Sequence, residues 1–226
     1  MAEPLPRTPE PELMDTPEQV DAYAAADFAE SNQGFVDRLV AALGSRAHGR
    51  LIDLGCGPAD ICMRAARALP AGWRLVGLDA GPNMLDRARG DVAAAGLNGR
   101  IELHLAHLPE TGLPDAGFDA VISNSLLHHL PAPAALWDAV ARLAAPGAWI
   151  QVMDLCRPDS AAAADTLVRT YAGDEPAILR NDFRNSLHAA WRVEEVRQQL
   201  SAAGLPLACE RISDRHWLAA GRLPSA

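Results

Sequence analysis

Stretches with strand-like spacing of apolar residues alternate along this chain with stretches that have helix-like spacing. Short apolar runs predict strands near residues 50–54, 73–79, 101–105, 118–123 and 147–154. Apolar residues at helical spacing predict helices between most of them, near residues 58–69, 82–95 and 133–144. Largely apolar strands that alternate with helices form a parallel sheet covered on both faces. The expected fold is therefore α/β, doubly wound and Rossmann-like.

The region before the first strand is expected to form a helical cap. Apolar residues recur at helical spacing from Val20 to Leu43 and predict two helices with a break near residues 31–34. The cap would span residues 18–45. Residues 1–17 are rich in proline and acidic side chains and predict a flexible N-terminal arm. No internal repeat or linker divides the remainder, so residues 18–226 are expected to form a single domain.

The region after the fifth strand is expected to complete the sheet. Helical patterns at residues 159–172 and 192–203 are followed by apolar runs at 205–210 and 215–220. The two runs predict an antiparallel pair of strands, which gives a mostly parallel sheet of seven strands. Residues 157–191 would form an insertion that could fold over the sheet edge as a substrate lid.

A glycine-containing turn follows the first strand, within residues 51–60. Asp53 lies near the end of the strand, and Gly55 and Gly57 follow it. Glycine is needed where the chain turns sharply or where a ligand approaches the backbone closely. A dinucleotide-binding turn would carry a third glycine, but Asp60 occupies that position. The charge of Asp53 would also repel a pyrophosphate and suit a cationic ligand.

Four stretches together resemble the class I S-adenosylmethionine-dependent methyltransferases. Residues 51–60 resemble the cofactor loop of that family, and residues 75–79 its second strand with a terminal acid. Residues 118–130 and 143–150 are similar to its fourth strand and to the turn into its fifth strand. The resemblance covers about residues 35–156 and favours the small-molecule enzymes of the quinone-biosynthesis type. It implies S-adenosyl-L-methionine as the cofactor.

Two acids are expected to hold this cofactor. Asp79 follows Gly57 by 22 positions, close to the spacing expected for a carboxylate that accepts hydrogen bonds from the ribose hydroxyls. A solvated acid at a strand end is the alternative. Asp53 would face the amino group of the methionine part, or would instead order the loop by accepting backbone N–H groups.

Further residues around the turn are predicted to line the cofactor. They are Gly55, Cys56, Gly57, Ala80, Met84, His107, Leu108 and Asn124. Met84 also fits the apolar face of its own helix, and Asn124 would also suit a plain turn. The family often has an acid at the position of His107, so this side chain could accept from the adenine amino group only as the correct neutral tautomer.

Two histidines are predicted to serve the methyl acceptor. His128 and His129 follow the fourth strand, on the expected cofactor edge. An acceptor that carries a proton is helped by a base, and histidine titrates near neutral pH. One of the two is therefore the predicted base or orienting group, unless the pair only packs the loop. His188 is a weaker candidate.

The acceptor itself is expected to contact the two variable parts of the chain. The predicted substrate residues are Tyr23, Phe28, Arg157, Tyr171, Arg180 and Phe183. Arginines in the insertion could receive an anionic acceptor, since the guanidinium fork suits carboxylates. The alternative is a solvated helix face whose arginines pair with nearby acids.

Composition narrows the classes of partner. The formal net charge is −9 and the chain contains no lysine, which disfavours nucleic acid as the substrate. None of the four cysteines forms a C-x-x-C pair, so no metal site is predicted, and a reduced cytoplasmic setting is expected. Neither a signal peptide nor a membrane-spanning run is recognised, so no membrane partner is expected. The oligomeric state stays open.

The sequence therefore favours methyl transfer from S-adenosyl-L-methionine to a small-molecule acceptor. The first alternative is an oxidoreductase with a nicotinamide cofactor, which would require the third glycine that Asp60 replaces. The second is a non-catalytic cofactor-binding protein with the same fold, because fold alone does not fix function.

Overall fold

A computed structural model describes residues 5–10 and 13–225 of the 226-residue chain. The described part forms one seven-stranded sheet in the order β3-β2-β1-β4-β5-β7-β6. Its strands are β1 (His48–Leu54), β2 (Gly72–Asp79), β3 (Ile101–Leu105), β4 (Phe118–Asn124), β5 (Ala144–Leu155), β6 (Ala208–Arg211) and β7 (His216–Arg222).

Strand direction follows the pattern expected from the sequence. Strands β1 to β5 are parallel to one another, and β7 runs antiparallel to both β5 and β6. Strand β1 lies inside the sheet between β2 and β4, and its Leu51, Ile52 and Leu54 are fully buried. Helices on both faces explain why this strand is apolar along its second half. The predicted doubly wound sheet with antiparallel C-terminal strands is confirmed.

Eight α-helices are present in the described residues. They are α1 (Pro17–Ala25), α2 (Ala29–Leu43), α3 (Asp60–Ala68), α4 (Pro82–Ala94), α5 (Ala134–Leu143), α6 (Ala161–Ala172), α7 (Ala177–Ala189) and α8 (Val193–Ala202). Helices α2, α3 and α4 bury apolar side chains such as Phe35, Ile61 and Leu85 on one face of the sheet. Helices α5 and α8 bury Trp137 and Val196 on the other. Burying each such side chain contributes about 1.5–3 kcal/mol.

The predicted break between the two cap helices is in the wrong place. Residues 31–34 lie inside α2, and the chain breaks instead at residues 26–28. The Asp27 carboxylate accepts a hydrogen bond from the Ala29 N–H at 2.9 Å and so begins α2. The polar run looked like a turn because Asn32 faces inward, where its side-chain amide donates to Asp60 Oδ2 at 2.9 Å.

The predicted insertion folds as a helical pair. Helix α6 was expected, whereas α7 was not recognised in the sequence. The two helices pack around a small apolar cluster that includes Val168, Leu187 and the partly buried Phe183. This packing gives residues 157–191 a fixed framework, and a role as a substrate lid stays a prediction.

Residues 5–10 lie along the helical pair, although the sequence predicts them to be a flexible arm. The N–H groups of Leu5 and Thr8 donate to the carbonyls of Asp159 and His188, both at 3.0 Å. The Arg7 guanidinium stacks 4.0 Å from the centre of the Trp191 ring. The part of the predicted arm at residues 1–4 and 11–12 lies outside the described residues, and the boundary at residue 17 stays a prediction.

Within the described residues, no helix combines the length and apolar character that crossing a membrane requires.

Candidate active site

The turn after β1 is an open cradle formed by backbone. Gly55, Gly57 and Ala59 all have positive φ values, of 74°, 51° and 66°. A Cβ on Gly55 would lie 2.8 Å from the Leu126 side chain, so only glycine fits there. A Cβ on Gly57 would meet only the Met84 sulfur, at 4.0 Å, so the space above this residue is open. The turn therefore leaves room for a ligand against its backbone.

Asp79 ties this turn to the end of β2. Its two carboxylate oxygens accept hydrogen bonds from the N–H groups of Gly57 and Gly81, each at 2.8 Å. Burial raises the pKa of Asp79 above its ordinary value, and the charge of Asp15 adds to the increase, although the two N–H groups oppose it. Each oxygen keeps a further lone pair. Asp79 can therefore accept additional hydrogen bonds from a pair of hydroxyls.

Asp53 is a buried acid beneath the same turn. It is 1% exposed, and its Oδ2 accepts a hydrogen bond from the Cys62 thiol at 3.4 Å. Burial raises the pKa of Asp53 to about 7; the Cys62 hydrogen bond opposes this increase and the charge of Asp79 adds to it. A buried carboxylate with so few donors is stabilised by a nearby cation.

Other groups around the turn also fit a polar ligand. Asn124, at the end of β4, keeps its Oδ1 buried without a hydrogen-bond partner in the described part of the chain. Its amide contacts Asn32 Oδ1 at 3.4 Å, so the side chain is held in place. Tyr23 of α1 adds a phenol on this side, and burial, followed by the charges of Asp60 and Asp79, raises the pKa of Tyr23 to about 12. Buried orphan atoms of this kind indicate a missing partner.

The remaining predicted cofactor residues lie around the ends of β1, β2 and β3. Met84 is buried in the first turn of α4, and its N–H donates to Asp15 Oδ1 at 3.0 Å. Cys56 is buried within the turn, and Ala80 is partly buried next to Asp79. Past the end of β3, Leu108 is partly buried in the core. His107 is exposed, and its contact with a cofactor stays a prediction.

His128 forms a buried dyad with an acid that the sequence analysis did not single out. It lies in a short 3₁₀ turn (Leu127–His129) that follows β4. Its Nδ1 is 2.5 Å from Asp154 Oδ1, and its backbone N–H donates to Asp154 Oδ2 at 3.1 Å. Burial alone would lower the pKa of His128, but the charge and hydrogen bond of Asp154 outweigh it and raise the pKa. Asp154 therefore orients the ring and leaves Nε2 as the free nitrogen.

His129 has a carboxylate neighbour as well, and this one comes from the N-terminal segment. Its Nδ1 lies 2.5 Å from Glu10 Oε2. The rings of His128 and His129 are tilted against each other with centres 4.0 Å apart. Burial would raise the pKa of Glu10, but the adjacent imidazoles of His129 and His128 hold it below its ordinary value. Two carboxylate–histidine pairs thus lie side by side.

The predicted substrate residues do not converge on one place. Tyr23 and Phe28 lie together, with ring centres 4.8 Å apart. Arg157 is buried and donates to the carbonyls of Leu5 and Ala190 and to Glu195, so its guanidinium is committed to the fold.

The other three lie on or near the helical pair. The Tyr171 hydroxyl donates to Asp214 at 2.6 Å on the exposed surface, and Arg180 donates to the Glu175 carbonyl at 2.9 Å. Phe183 packs in the α6–α7 cluster. Contact of Tyr23 and Phe28 with an acceptor stays a prediction.

Sequence reasoning missed Asp154 and Glu10. An acid inside the apolar run of β5 was a signal that could have indicated Asp154, since a buried carboxylate needs a partner. Glu10 lies among several acids and prolines of the N-terminus, and no local pattern distinguishes it. Only the long-range packing of residues 5–10 brings it to His129.

Comparisons with known proteins are consistent with this geometry. Residues 51–147, which include the glycine turn, Asp79 and both histidines, match the family described as "Methyltransferase domain". The chain is 29% identical over 191 residues to 27-O-demethylrifamycin SV methyltransferase of Amycolatopsis mediterranei, covering 84% of this chain and 66% of that protein.

A second curated relative is also a methyltransferase, and a solved structure shares the fold. Over 78 residues the chain is 33% identical to the ubiquinone/menaquinone biosynthesis C-methyltransferase of Geobacter sp., covering 34% of this chain and 33% of that protein. The chain thus spans from a third to just under two thirds of these curated relatives. An S-adenosylmethionine-dependent methyltransferase of Aquifex aeolicus superposes with a TM-score of 0.69 at 15% identity, covering 92% and 98% of the two chains. The oxidoreductase alternative finds no support among these matches.

Proposed function

We propose that this chain, which belongs to the class I S-adenosylmethionine-dependent methyltransferases, transfers a methyl group to a small molecule whose acceptor atom carries a proton. The observation that carries the proposal is the buried His128–Asp154 dyad. His128 comes after the end of β4, just as the glycine turn comes after the end of the parallel strand β1. The names of the rifamycin and quinone relatives support a small-molecule acceptor.

The donor side is assigned to the turn after β1 and the end of β2. When bound, S-adenosyl-L-methionine supplies a methyl group on a positively charged sulfur. Asp79 would accept from the two ribose hydroxyls, and Gly57 leaves open space for the ligand against the backbone. Asp53 would face the cationic amino group, and Asn124 Oδ1 would receive a hydrogen bond that it lacks within the described residues.

The acceptor side is assigned to the dyad. Asp154 accepts from Nδ1 of His128, so that Nε2 is the atom able to take the acceptor's proton while the methyl group is transferred. Asp154 is a positioning residue, because it fixes the tautomer and stabilises the imidazolium that forms. Tyr23 and Phe28 would exclude water on the side of α1.

Ligand-induced stabilisation tests the donor assignment. S-adenosylhomocysteine is expected to raise the melting temperature, since binding to the folded state alone stabilises it by about 2.7 kcal/mol at 100 times Kd. NAD at the same concentration is expected to have no effect. Stabilisation by NAD alone would contradict the donor assignment.

A transfer assay separates an enzyme from a binding protein. The chain is incubated with methyl-labelled donor and fractionated metabolite extracts, and label is expected to appear in a small-molecule fraction. A chain that binds S-adenosylhomocysteine but transfers no label to any fraction, including hydroxylated aromatic compounds, would instead be a non-catalytic binding protein.

Donor affinity is expected to depend on pH through Asp53. Its pKa of about 7 means that the group is largely protonated below pH 7 in the free chain. A bound cationic amino group favours the carboxylate, so binding releases a proton, and affinity rises by up to about tenfold per pH unit below pH 7 and levels off above it. Calorimetry in two buffers of different ionisation enthalpy measures the released proton. Asp53→Asn should remove this dependence; an unchanged slope would reject the assignment.

A further inference from the structure

A cluster of three metal-ligating side chains includes the proposed base. Glu10, His128 and His129 each offer one donor atom, and the three atoms lie within 4.8 Å of one another. Glu10 comes from the N-terminal segment, whereas the histidines come from the 3₁₀ turn after β4. Such a cluster is assembled only by the packing of residues 5–10 against the domain.

Two atoms of this cluster lack ordinary partners. Glu10 Oε1 and His129 Nδ1 are buried and have no hydrogen bond of normal geometry to the described residues. Nevertheless, His129 Nδ1 lies 2.5 Å from Glu10 Oε2, and the Glu10 side chain is only 10% exposed. Burying polar atoms without partners is costly. A carboxylate and an imidazole that converge in a buried position form a pair that a metal ion can bind in place of the shared proton.

The orientation of His128 suits a metal ligand. Its Nδ1 is held by Asp154, which leaves Nε2 as the available donor. A carboxylate on the far nitrogen of a ligating histidine is the usual outer-sphere arrangement at metal sites, because it fixes the tautomer and increases the basicity of the ring.

The charges around the cluster also suit a divalent cation. Glu10, Asp154 and Asp182 contribute carboxylates, and the guanidinium of Arg7 donates to the His128 carbonyl at 3.2 Å. Three negative charges and one positive charge leave two uncompensated negative charges, which a doubly charged cation would neutralise. Two imidazole nitrogens and one carboxylate oxygen form a ligand set typical of zinc, with a fourth position open.

We propose that Glu10, His128 and His129 bind a divalent cation of the zinc class. The ion would occupy Nε2 of His128, the same atom that the proposed mechanism uses to accept a proton. Metal binding and proton acceptance at His128 therefore exclude each other, and the ion would act as an inhibitor of methyl transfer.

Cobalt(II) tests the site directly, because its visible absorption reports coordination by nitrogen and oxygen ligands. The full chain, first stripped of metal, is expected to bind one equivalent saturably, and Zn²⁺ is expected to displace it. Glu10→Gln and His129→Gln should each weaken binding at least about tenfold, and Asp154→Asn should do so without removing a ligand. The control is His104→Gln, which changes an exposed histidine paired with Glu102 at 2.8 Å and should leave binding unchanged.

Three results would overturn the proposal. The unaltered chain could show no saturable cobalt uptake, or Glu10→Gln could bind cobalt with the affinity of the unaltered chain. The third such result is loss of cobalt uptake in His104→Gln. Each variant is also tested for stabilisation by S-adenosylhomocysteine, which reports folding and the donor site independently of the metal. Binding of S-adenosylhomocysteine without uptake of cobalt would reject only the metal site. Uptake of cobalt without binding of S-adenosylhomocysteine would reject only the donor assignment.

Discussion

Asp79→Asn is expected to weaken the binding of S-adenosylhomocysteine by more than about 100-fold. The carboxylate would lose its charge-assisted hydrogen bonds to two ribose hydroxyls, each worth about 1.5–3 kcal/mol. An amide group cannot replace it, since its NH₂ would face the N–H of either Gly57 or Gly81. Calorimetric titration of the full chain measures the affinity.

Asp86→Asn is the matched control for this variant. Asp86 lies in the same region, on α4, but its side chain is 73% exposed and pairs with Arg89 on the surface. It should bind S-adenosylhomocysteine with unchanged affinity. Urea unfolding of both ligand-free variants separates a damaged turn from a lost contact. Equal affinities in Asp79→Asn and the unaltered chain would reject the ribose assignment.

His128→Gln is expected to lower kcat by about 10²–10⁴-fold while leaving donor affinity nearly unchanged. Those magnitudes are typical of a lost general base. The measurement uses the acceptor found in the labelling assay, with a chelator present to keep metal off the cluster. His104→Gln, which changes a histidine of β3 paired with Glu102, is the control and should retain full activity. Full activity in His128→Gln would show that His128 is not the base.

The pH profile distinguishes a positioning role of Asp154 from a merely structural one. The rate should rise with pH through the pKa of His128, because only the neutral ring accepts a proton. Asp154 raises that pKa against the effect of burial. In Asp154→Asn the lowering by burial is no longer outweighed by the Asp154 carboxylate, so the midpoint should move to lower pH while the maximal rate falls. A profile that keeps its midpoint would contradict the proposed coupling.

Much of the fold could be predicted because strands and helices follow local patterns. The apolar run at Leu51–Leu54 and the helical spacing in α3 and α4 reflect one buried face each, and their positions matched within a few residues. The prediction failed where a polar side chain has a tertiary partner. Asn32 looked like part of a turn, yet its hydrogen bond to Asp60 lies on the inner side of a continuous helix. Helix α7 escaped notice for a related reason, since its sequence is crowded with polar residues and only a narrow stripe around Leu187 is buried.

The sequence predicted those parts of the candidate site that a single local segment determines, and it missed those that distant segments form together. Gly55, Gly57 and Asp79 are determined by one strand–turn–helix unit and one spacing, so they could be named from the sequence. The pairing of His128 with Asp154 depends on which strands are neighbours, and β4 and β5 are adjacent only in the folded sheet. The approach of Glu10 to His129 depends on a segment without any periodic pattern. Long-range contacts of this kind leave no trace in local composition.

The placement of Asp154 also bears on which parts of the chain can change independently of the proposed site. This carboxylate is part of the inner strand β5, whereas the side chains proposed to meet an acceptor lie on α1 and in the loop after it. Mutations that reshape those outer segments leave the hydrogen bond to His128 in place. Changes in those outer segments can therefore alter which acceptor fits without disturbing the proposed proton-accepting pair.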